Sequence, residues 1–213
     1  MPASRYPAAI LFDAGGTLVI QDPIEMGRRL GTRIDPAAAH RAHYVAMAEY
    51  SDLRRAGDEA DWDWWLRRYF TLLAVSDPES AGERIQRGYG LWNHALHGVR
   101  DTLERLRSGG VRTGVVSNSD GSVRASLQRA GLIDVFEFVI DSHEVGVAKP
   151  HPAIFEAALD QMGLEASEVW YVGDSLFHDV EGALAAGLGD ALLVDPYRLA
   201  PDGVVRVSSV ADM

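Results

Sequence analysis

Short apolar runs recur along the chain, and polar or helical segments separate them. Five of these runs predict buried strands, over residues 8–12, 111–116, 135–140, 169–172 and 191–194. Each run is continuously apolar and does not alternate between apolar and polar positions. Continuous runs are typical of parallel strands that are covered on both faces.

Helical patterns precede the last four predicted strands. They cover residues 99–107, 122–130, 153–162 and 179–186. Gly131, Gly163 and Gly187 follow three of these segments, at the position where a left-handed residue ends a helix. Strands and helices that alternate in this way predict an α/β fold with a doubly wound parallel sheet.

The segment between the first two strands has a different pattern. Residues 20–97 contain helical signals and no strand signal. Asp35 followed by Pro36 is a typical helix start, and an apolar stripe at helical spacing comes later. The stripe consists of Trp62, Trp65, Leu66, Tyr69, Phe70 and Leu73. We therefore predict a helical cap domain over residues 20–97, inserted into an α/β core domain formed by residues 1–19 and 98–213.

Composition and charge narrow the possible functions. The chain has 213 residues, with 20 basic and 31 acidic side chains and a net charge of −11. An acidic chain without a basic cluster is a poor candidate for nucleic-acid binding, whereas a small phosphorylated metabolite is compatible with it. The absence of cysteine excludes disulfides, thiol nucleophiles and cysteine zinc sites. No apolar run is long enough for a bilayer span or a signal peptide, so we expect a cytoplasmic protein without a membrane partner.

Polar residues follow several of the predicted strands. Asp13 follows the first strand, Ser117 the second and Asp174 the fourth, while Lys149 and Asp179 lie in neighbouring loops. The carboxyl ends of the strands meet at one edge of an α/β sheet, so these side chains are expected to share a crevice. A carboxylate there can attack phosphorus, and carboxylate oxygens suit Mg²⁺. Lys149 can neutralise a phosphoryl group and the Ser117 hydroxyl can hydrogen-bond it.

Four motifs in this order resemble those of the haloacid dehalogenase-like hydrolase superfamily. FDAGGTL is similar to its first motif, VVSNSD to its Ser/Thr strand end, VGVAKPHPAIFEAAL to its lysine motif and VGDSLFHD to its acidic motif. The resemblance covers nearly the whole chain, and the helical insertion resembles the family's cap. It implies a Rossmann-like core, a bound Mg²⁺ and a phosphorylated small-molecule substrate.

The resemblance also implies a role for each matching residue. Asp13 corresponds to the nucleophile and to a metal ligand, and the Gly15 carbonyl and Asp174 correspond to further metal ligands. Asp179 corresponds to an acid that supports them. The residues that correspond to phosphoryl-binding groups are Thr17, Ser117, Asn118 and Lys149.

Gly15 departs from the family's phosphatases, which usually carry a second Asp at this position as a general acid and base. Such a group contributes about 10²–10⁴-fold to a rate, so its absence leaves three functions open. The first is a Mg²⁺-dependent phosphatase whose proton comes from elsewhere, with His178 as a hypothetical donor, or whose leaving group needs no proton. The second is a metal-independent 2-haloacid dehalogenase, because a halide leaves unprotonated. The third is a binding or regulatory protein on an enzyme scaffold.

Overall fold

A computed structural model of the protein describes residues 7–86 and 90–213. Its strands are β1 (Ala9–Phe12), β2 (Val19–Gln21), β3 (Trp92–Ala95), β4 (Arg112–Ser117), β5 (Val139–Asp141), β6 (Val169–Gly173), β7 (Asp190–Val194) and β8 (Arg206–Val207). Its α-helices are α1 (Pro23–Leu30), α2 (Pro36–Arg55), α3 (Trp62–Leu72), α4 (Pro78–Gln86), α5 (Val99–Ser108), α6 (Val123–Arg129), α7 (Ser142–Val145), α8 (Pro152–Met162) and α9 (Gly182–Ala185). Residues 1–6 of the predicted core domain and 87–89 of the predicted cap lie outside the described residues.

Within the described ranges, six strands form one sheet in the order β5-β4-β1-β6-β7-β8. All the strand pairs in this sheet are parallel. The chain adds β4 and β5 on one side of β1, then returns to add β6 and β7 on the other side. This order reverses at β1, so the predicted doubly wound α/β fold is confirmed, and the crevice beyond the ends of β1, β4 and β6 is the expected ligand site.

Both faces of the sheet are covered, which explains why its strands are continuously apolar. Ile10 and Phe12 of β1 point into the core on one face, with Leu103 of α5 and Leu127 of α6. The other core contains Leu11, together with Phe155 and other residues of α8 and the chain around residue 180. Neighbouring residues of one strand are therefore buried on opposite faces.

Two short strands lie where we expected no strand. β2 and β3 form an antiparallel pair, with Val19 opposite Ala95. They are three and four residues long, and their pairing joins segments more than 70 positions apart. Because runs this short carry almost no periodicity, the prediction that residues 20–97 contain no strand was wrong. The predicted boundary after residue 19 falls inside β2, and the division into core and cap stays a prediction.

Two predicted elements have different limits in the structure. The run 135–140 forms a strand only from Val139, because a 3₁₀ turn occupies Ile133–Val135. Residues 137 and 138 nevertheless hydrogen-bond to the backbone of β4. The helix expected over 179–186 begins earlier, as a π-helical turn at Leu176–Glu181 that continues into α9. Ser175 caps this turn by accepting a hydrogen bond from the His178 N–H at 3.2 Å.

The predicted helical segment has an apolar core of its own. This third cluster contains Met26, Trp65, Leu66 and Phe70, and it is separate from the two cores beside the sheet. Asp35 caps α2 as predicted, accepting a hydrogen bond from the Ala38 N–H at 2.8 Å. Across the described part of the chain, no helix combines the length and apolarity needed to cross a bilayer.

Candidate active site

Three strand ends bring acidic and polar residues to one edge of the sheet. Asp13 follows β1, Ser117 is the last residue of β4, and Asp174 follows β6. β1 lies between β4 and β6, so the three ends are adjacent. All three side chains line one cavity of about 650 Å³, together with Lys149 and Asp179. The strand-end argument therefore placed these residues correctly.

Lys149 holds two of the acids together. Its Nζ donates to Asp13 Oδ1 at 2.6 Å and to Asp179 Oδ1 at 2.7 Å. It also lies 3.0 Å from the carbonyl oxygen of Val116. The Lys149 side chain is 2% exposed, so both ion pairs are shielded from solvent. Removing either carboxylate would leave the buried charge of Lys149 without one of its partners, which destabilises the folded protein.

Tyr171 completes this group, and the sequence analysis missed it. Its hydroxyl accepts a hydrogen bond from Lys149 Nζ at 2.8 Å and donates one to the Val116 carbonyl at 2.7 Å. The residue lies within the apolar run of β6, and we interpreted it only as a core residue. A phenol in an otherwise apolar strand is the signal that could have identified it, because a buried hydroxyl needs a partner.

Three carboxylates lie close enough to share a cation. One oxygen each of Asp13, Asp174 and Asp179 lies within 4.8 Å of the others, and all three residues are buried. Asp179 is held by a second contact, since its Oδ2 accepts from the Ser175 N–H at 2.9 Å. Three buried acids with one lysine carry excess negative charge, and hard oxygen ligands of this kind fit Mg²⁺.

The electrostatics of the group reflect this crowding. Burial, opposed by Lys149 and reinforced by Asp179 and Asp174, raises the pKa of Asp13 to about 7. Burial and the neighbouring Asp179 raise the pKa of Asp174 well above its ordinary value. Burial opposes the charge of Lys149, but Asp13 and Asp179 outweigh it and raise the Lys149 pKa. A divalent cation would reverse the shifts of the acids by favouring their ionised forms.

Two glycines leave room for these side chains. A Cβ at Gly16 would overlap Asp174 Oδ2, and a Cβ at Gly173 would overlap the carboxyl group of Asp179. Gly16 also has a φ of +74°, which other residues rarely adopt. The second glycine of FDAGGTL is therefore required for the backbone to approach the acids.

Gly15 is empty for a different reason. A Cβ built on it would lie 3.0 Å from Cζ3 of Trp92. Three ring atoms of Trp92, on β3, lie 3.0 to 3.4 Å from the position of that Cβ. A side chain at Gly15 would therefore require Trp92 to give by a few tenths of an ångström.

The three other predicted phosphoryl-binding residues have different environments. Ser117 is buried and lines the cavity. The Asn118 side chain lines it too, but its amide donates to the Lys149 carbonyl at 2.9 Å and accepts from the Lys149 N–H at 2.8 Å. Thr17 is fully buried, and its hydroxyl has no hydrogen-bond partner among the described residues. Asn118 positions the lysine loop in this structure, and phosphoryl binding by these three residues stays a prediction.

Helix α2 contributes two residues that the sequence analysis did not identify. His43 Nε2 lies 2.6 Å from Asp174 Oδ2, and both side chains are buried. Tyr44 donates its hydroxyl to the Gly16 carbonyl at 2.6 Å. Burial lowers the pKa of His43 to about 3, so its imidazole is neutral near pH 7. The predicted cap segment is thus hydrogen-bonded directly to the acidic group.

His178, the hypothetical proton donor, lines the cavity beside Ser175. Its Nδ1 lies 3.0 Å from Ser175 Oγ, and its ring stacks on Tyr50 at a centroid distance of 5.3 Å. Burial is the main cause that lowers its pKa to about 4. A histidine with this pKa is mostly neutral near pH 7 and is therefore a weak general acid there.

Comparisons with known proteins agree with this architecture. The family model for haloacid dehalogenase-like hydrolases matches residues 7–187. The chain is 35% identical over 153 residues to human haloacid dehalogenase-like hydrolase domain-containing protein 3, which covers 68% of this chain and 60% of the relative. It is 28% identical over 203 residues to a ribulose-1,5-bisphosphate 5-phosphatase of Halopiger xanaduensis, covering 88% of this chain and 84% of that protein.

Solved structures share the fold. A haloacid dehalogenase-type phosphatase from Thermococcus onnurineus superposes with a TM-score of 0.62 and 26% identity, over 96% of this chain and 94% of that one. An L-2-haloacid dehalogenase superposes with a TM-score of 0.66 and 19% identity, over 97% and 96% of the two chains. The fold alone is thus common to both chemistries. From its family match, motif order and sheet topology, this chain belongs to the haloacid dehalogenase-like hydrolase family.

Proposed function

We propose that the protein is a Mg²⁺-dependent phosphatase that acts through an aspartyl-phosphate on Asp13. The observation that carries the proposal is the buried group of Asp13, Asp174, Asp179 and Lys149. Three carboxylates beside one ammonium group bind an anion poorly on their own. A divalent cation offsets the excess negative charge of this group and allows a phosphate to enter. The phosphatase names of two similar proteins support the same function.

In this proposal, each residue of the site has a specific role. Asp13 and Asp174, with the Gly15 carbonyl, would hold the ion, and Asp179 would support them through Lys149 and the Ser175 N–H. The ion would supply charge neutralisation and orientation of the phosphate. Asp13 attacks phosphorus, and the bond from phosphorus to the leaving oxygen breaks. Water then attacks the aspartyl-phosphate, which releases inorganic phosphate and restores Asp13.

The substrate would be small, because the cavity holds about 650 Å³. Residues 20–97 would act as a cap that opens to admit it and closes to exclude water. We propose neither a nucleic acid nor a membrane as a partner, since the net charge of −11 disfavours attraction to polyanions.

The experiment measures product release from two panels of compounds. Acetyl phosphate and a set of phosphate monoesters are assayed for inorganic phosphate with magnesium chloride or with EDTA. 2-Chloropropionate is assayed for chloride under the same conditions. Phosphate release that requires magnesium and is lost in Asp13→Asn supports the proposal, provided that the variant melts cooperatively.

Two outcomes contradict the proposal. Release of chloride without magnesium, lost in the same variant, would identify a dehalogenase. If the protein folds cooperatively but turns over no compound of either panel, the result would favour a binding or regulatory protein with the fold of this family.

A further inference from the structure

Part of the cavity lining is apolar and aromatic. It is formed by Met47, Trp62, Leu66, Ile85, Leu91 and Trp92, all from the predicted cap segment. Gln21 and Asp63 also line the cavity and add no positive charge. An apolar wall beside a catalytic group binds the apolar part of a ligand.

Trp62 is the most exposed aromatic residue of this wall. It is 42% exposed although its ring stacks on Trp65 with centroids 4.4 Å apart. Trp65 is fully buried and stacks in turn on Tyr69 at 5.2 Å. The indole of Trp62 is therefore held from behind by a rigid stack while part of its surface faces the cavity. A planar ligand can stack on such a surface without reorganising the protein.

Trp92 constrains the leaving group of the substrate, because it lies next to the proposed phosphate site. Its indole lies against the position of a Cβ at Gly15, the residue at which the family's phosphatases usually carry a general acid. A leaving oxygen that lies beside Trp92 would meet an apolar ring surface. A phenol has a pKa of about 10, so phenolate departs without protonation far more readily than an alkoxide does.

Positive charge is scarce in the cavity. Among the residues that the structure describes, Lys149 is the only lysine or arginine in the cavity lining. Its ammonium group is already bound to Asp13 and Asp179. Within the described lining, a second phosphate or a carboxylate on the substrate would therefore find no further lysine or arginine.

We propose that the substrate is a monophosphate ester of an aromatic hydroxyl compound, whose ring packs against the exposed surface of Trp62, next to Trp92. This inference rests on the proposed function. In the first step an Asp13 oxygen bonds to phosphorus, and the bond from phosphorus to the aryl oxygen breaks. Both electrons leave with the phenolate, which takes a proton from solvent. In the second step water attacks phosphorus, the bond to Asp13 breaks, and one proton of the water passes to solvent.

Three matched substrates separate ring binding from leaving-group chemistry. Phenyl phosphate has an aromatic ring and a phenolate leaving group. Benzyl phosphate keeps the ring but leaves as an alkoxide, and cyclohexyl phosphate lacks both features. We expect kcat/KM for phenyl phosphate to exceed that for each of the other two by about 10²-fold or more, the usual effect of a missing general acid on alkoxide departure. Benzyl phosphate should inhibit phenyl phosphate hydrolysis at lower concentration than cyclohexyl phosphate.

A pair of tryptophan variants on α3 tests the location of the ring. Trp62→Ala should raise KM for 1-naphthyl phosphate about 3- to 10-fold, as expected from the loss of one aromatic contact. It should leave KM for acetyl phosphate unchanged. Trp64→Ala is the control, because Trp64 stacks on Tyr50 and is not part of the cavity lining. Trp62→Phe keeps an aromatic ring and should retain most of the affinity if Trp62→Ala does not fold.

Acetyl phosphate distinguishes a failure of the aromatic-substrate proposal from a failure of the proposed phosphatase function. Hydrolysis of acetyl phosphate with magnesium, combined with equal or faster hydrolysis of cyclohexyl than of phenyl phosphate, would overturn the aromatic substrate and leave the phosphatase intact. Equal effects of Trp62→Ala and Trp64→Ala on naphthyl phosphate would also overturn it. No hydrolysis of any of these compounds would contradict the proposed function itself.

Discussion

Gly15 and Trp92 form a complementary pair at the scale of single residues. One lacks a side chain, and the indole of the other would lie 3.0 Å from a Cβ at that position. Trp92 also packs against both the core beneath the sheet and the apolar cluster of residues 20–97. The missing acid is therefore tied to the packing around it, and restoring the acid alone should not restore its function.

A double substitution tests this dependence. We expect Gly15→Asp alone to change turnover of benzyl phosphate little, because the new side chain meets the Trp92 ring. In the background of Trp92→Ala, the same substitution should raise kcat by about 10²-fold, since a carboxyl group then has room to protonate the alkoxide. Steady-state kinetics of the wild type, both single variants and the double variant measure the coupling.

The control replaces the acid by its amide. In the double variant Gly15→Asn and Trp92→Ala, the side chain at position 15 has nearly the same shape as aspartate. Its amide is not acidic enough to protonate an alkoxide. An equal gain in this variant would show that space, and not acid catalysis, limits the reaction.

At the scale of elements, α2 connects the predicted cap to the acidic loops. Four of its residues make this contact through polar side chains. They are His43 and Tyr44, Ser51, whose hydroxyl lies 2.9 Å from Ser175 Oγ, and Arg55, which pairs with Glu181 at 2.8 Å. The His43 contact falls on Asp174, a predicted metal ligand. Hydrogen bonds to a liganding carboxylate orient it for the ion.

Substitution of His43 should therefore weaken metal binding. We expect His43→Ala to lower Mg²⁺ affinity about 10-fold, the effect typical of losing a partner that orients a metal ligand. His43→Gln keeps a side-chain N–H donor and should recover part of that affinity. Isothermal titration with magnesium measures both variants without relying on turnover.

His40 supplies the matched control on the same helix. It hydrogen-bonds Tyr197 at 2.8 Å and is not part of the cavity lining. His40→Gln should leave Mg²⁺ affinity unchanged. An unchanged affinity in His43→Ala would mean that its bond to Asp174 does not orient the carboxylate.

At the scale of the whole molecule, the active site destabilises the fold because it buries several charged groups. Two apolar cores stabilise the sheet and a third stabilises residues 20–97, while three acids are buried where the sheet meets those residues. Burial disfavours their charged forms, and a single lysine offsets only part of the repulsion. Anything that binds this group in the folded state alone should stabilise the entire fold.

Magnesium should accordingly raise the melting temperature. At about 100 times its dissociation constant, a ligand stabilises the folded state by about 2.7 kcal/mol, which corresponds to about 5–10 °C for a domain of this size. Calorimetry with magnesium chloride, and with sodium chloride at equal ionic strength, measures the shift. Asp174→Asn should lose most of it, and EDTA should reverse it in the wild type. A shift of equal size with sodium would contradict a specific cation site.

The sequence by itself determined the parallel sheet and the edge at which Asp13, Ser117 and Asp174 meet. Both follow from local patterns, because an apolar run defines a strand, and parallel strands place the residues that follow them side by side. The role of Lys149 could also be predicted, from its motif. The short pair β2 and β3 was not, since three or four residues carry too little periodicity to predict a strand.

Only the tertiary structure decided what surrounds these acids. His43 and Asp174 are 131 positions apart, and Tyr171 contacts Lys149 from inside a run that is otherwise apolar. Trp92 reaches Gly15 because β3 pairs with β2. Trp62 lines the cavity although it belongs to the apolar stripe of the predicted helix, whereas Trp64, outside the stripe, packs on Tyr50. Such contacts depend on how distant segments pack, and local spacing carries no information about the partner that packing selects.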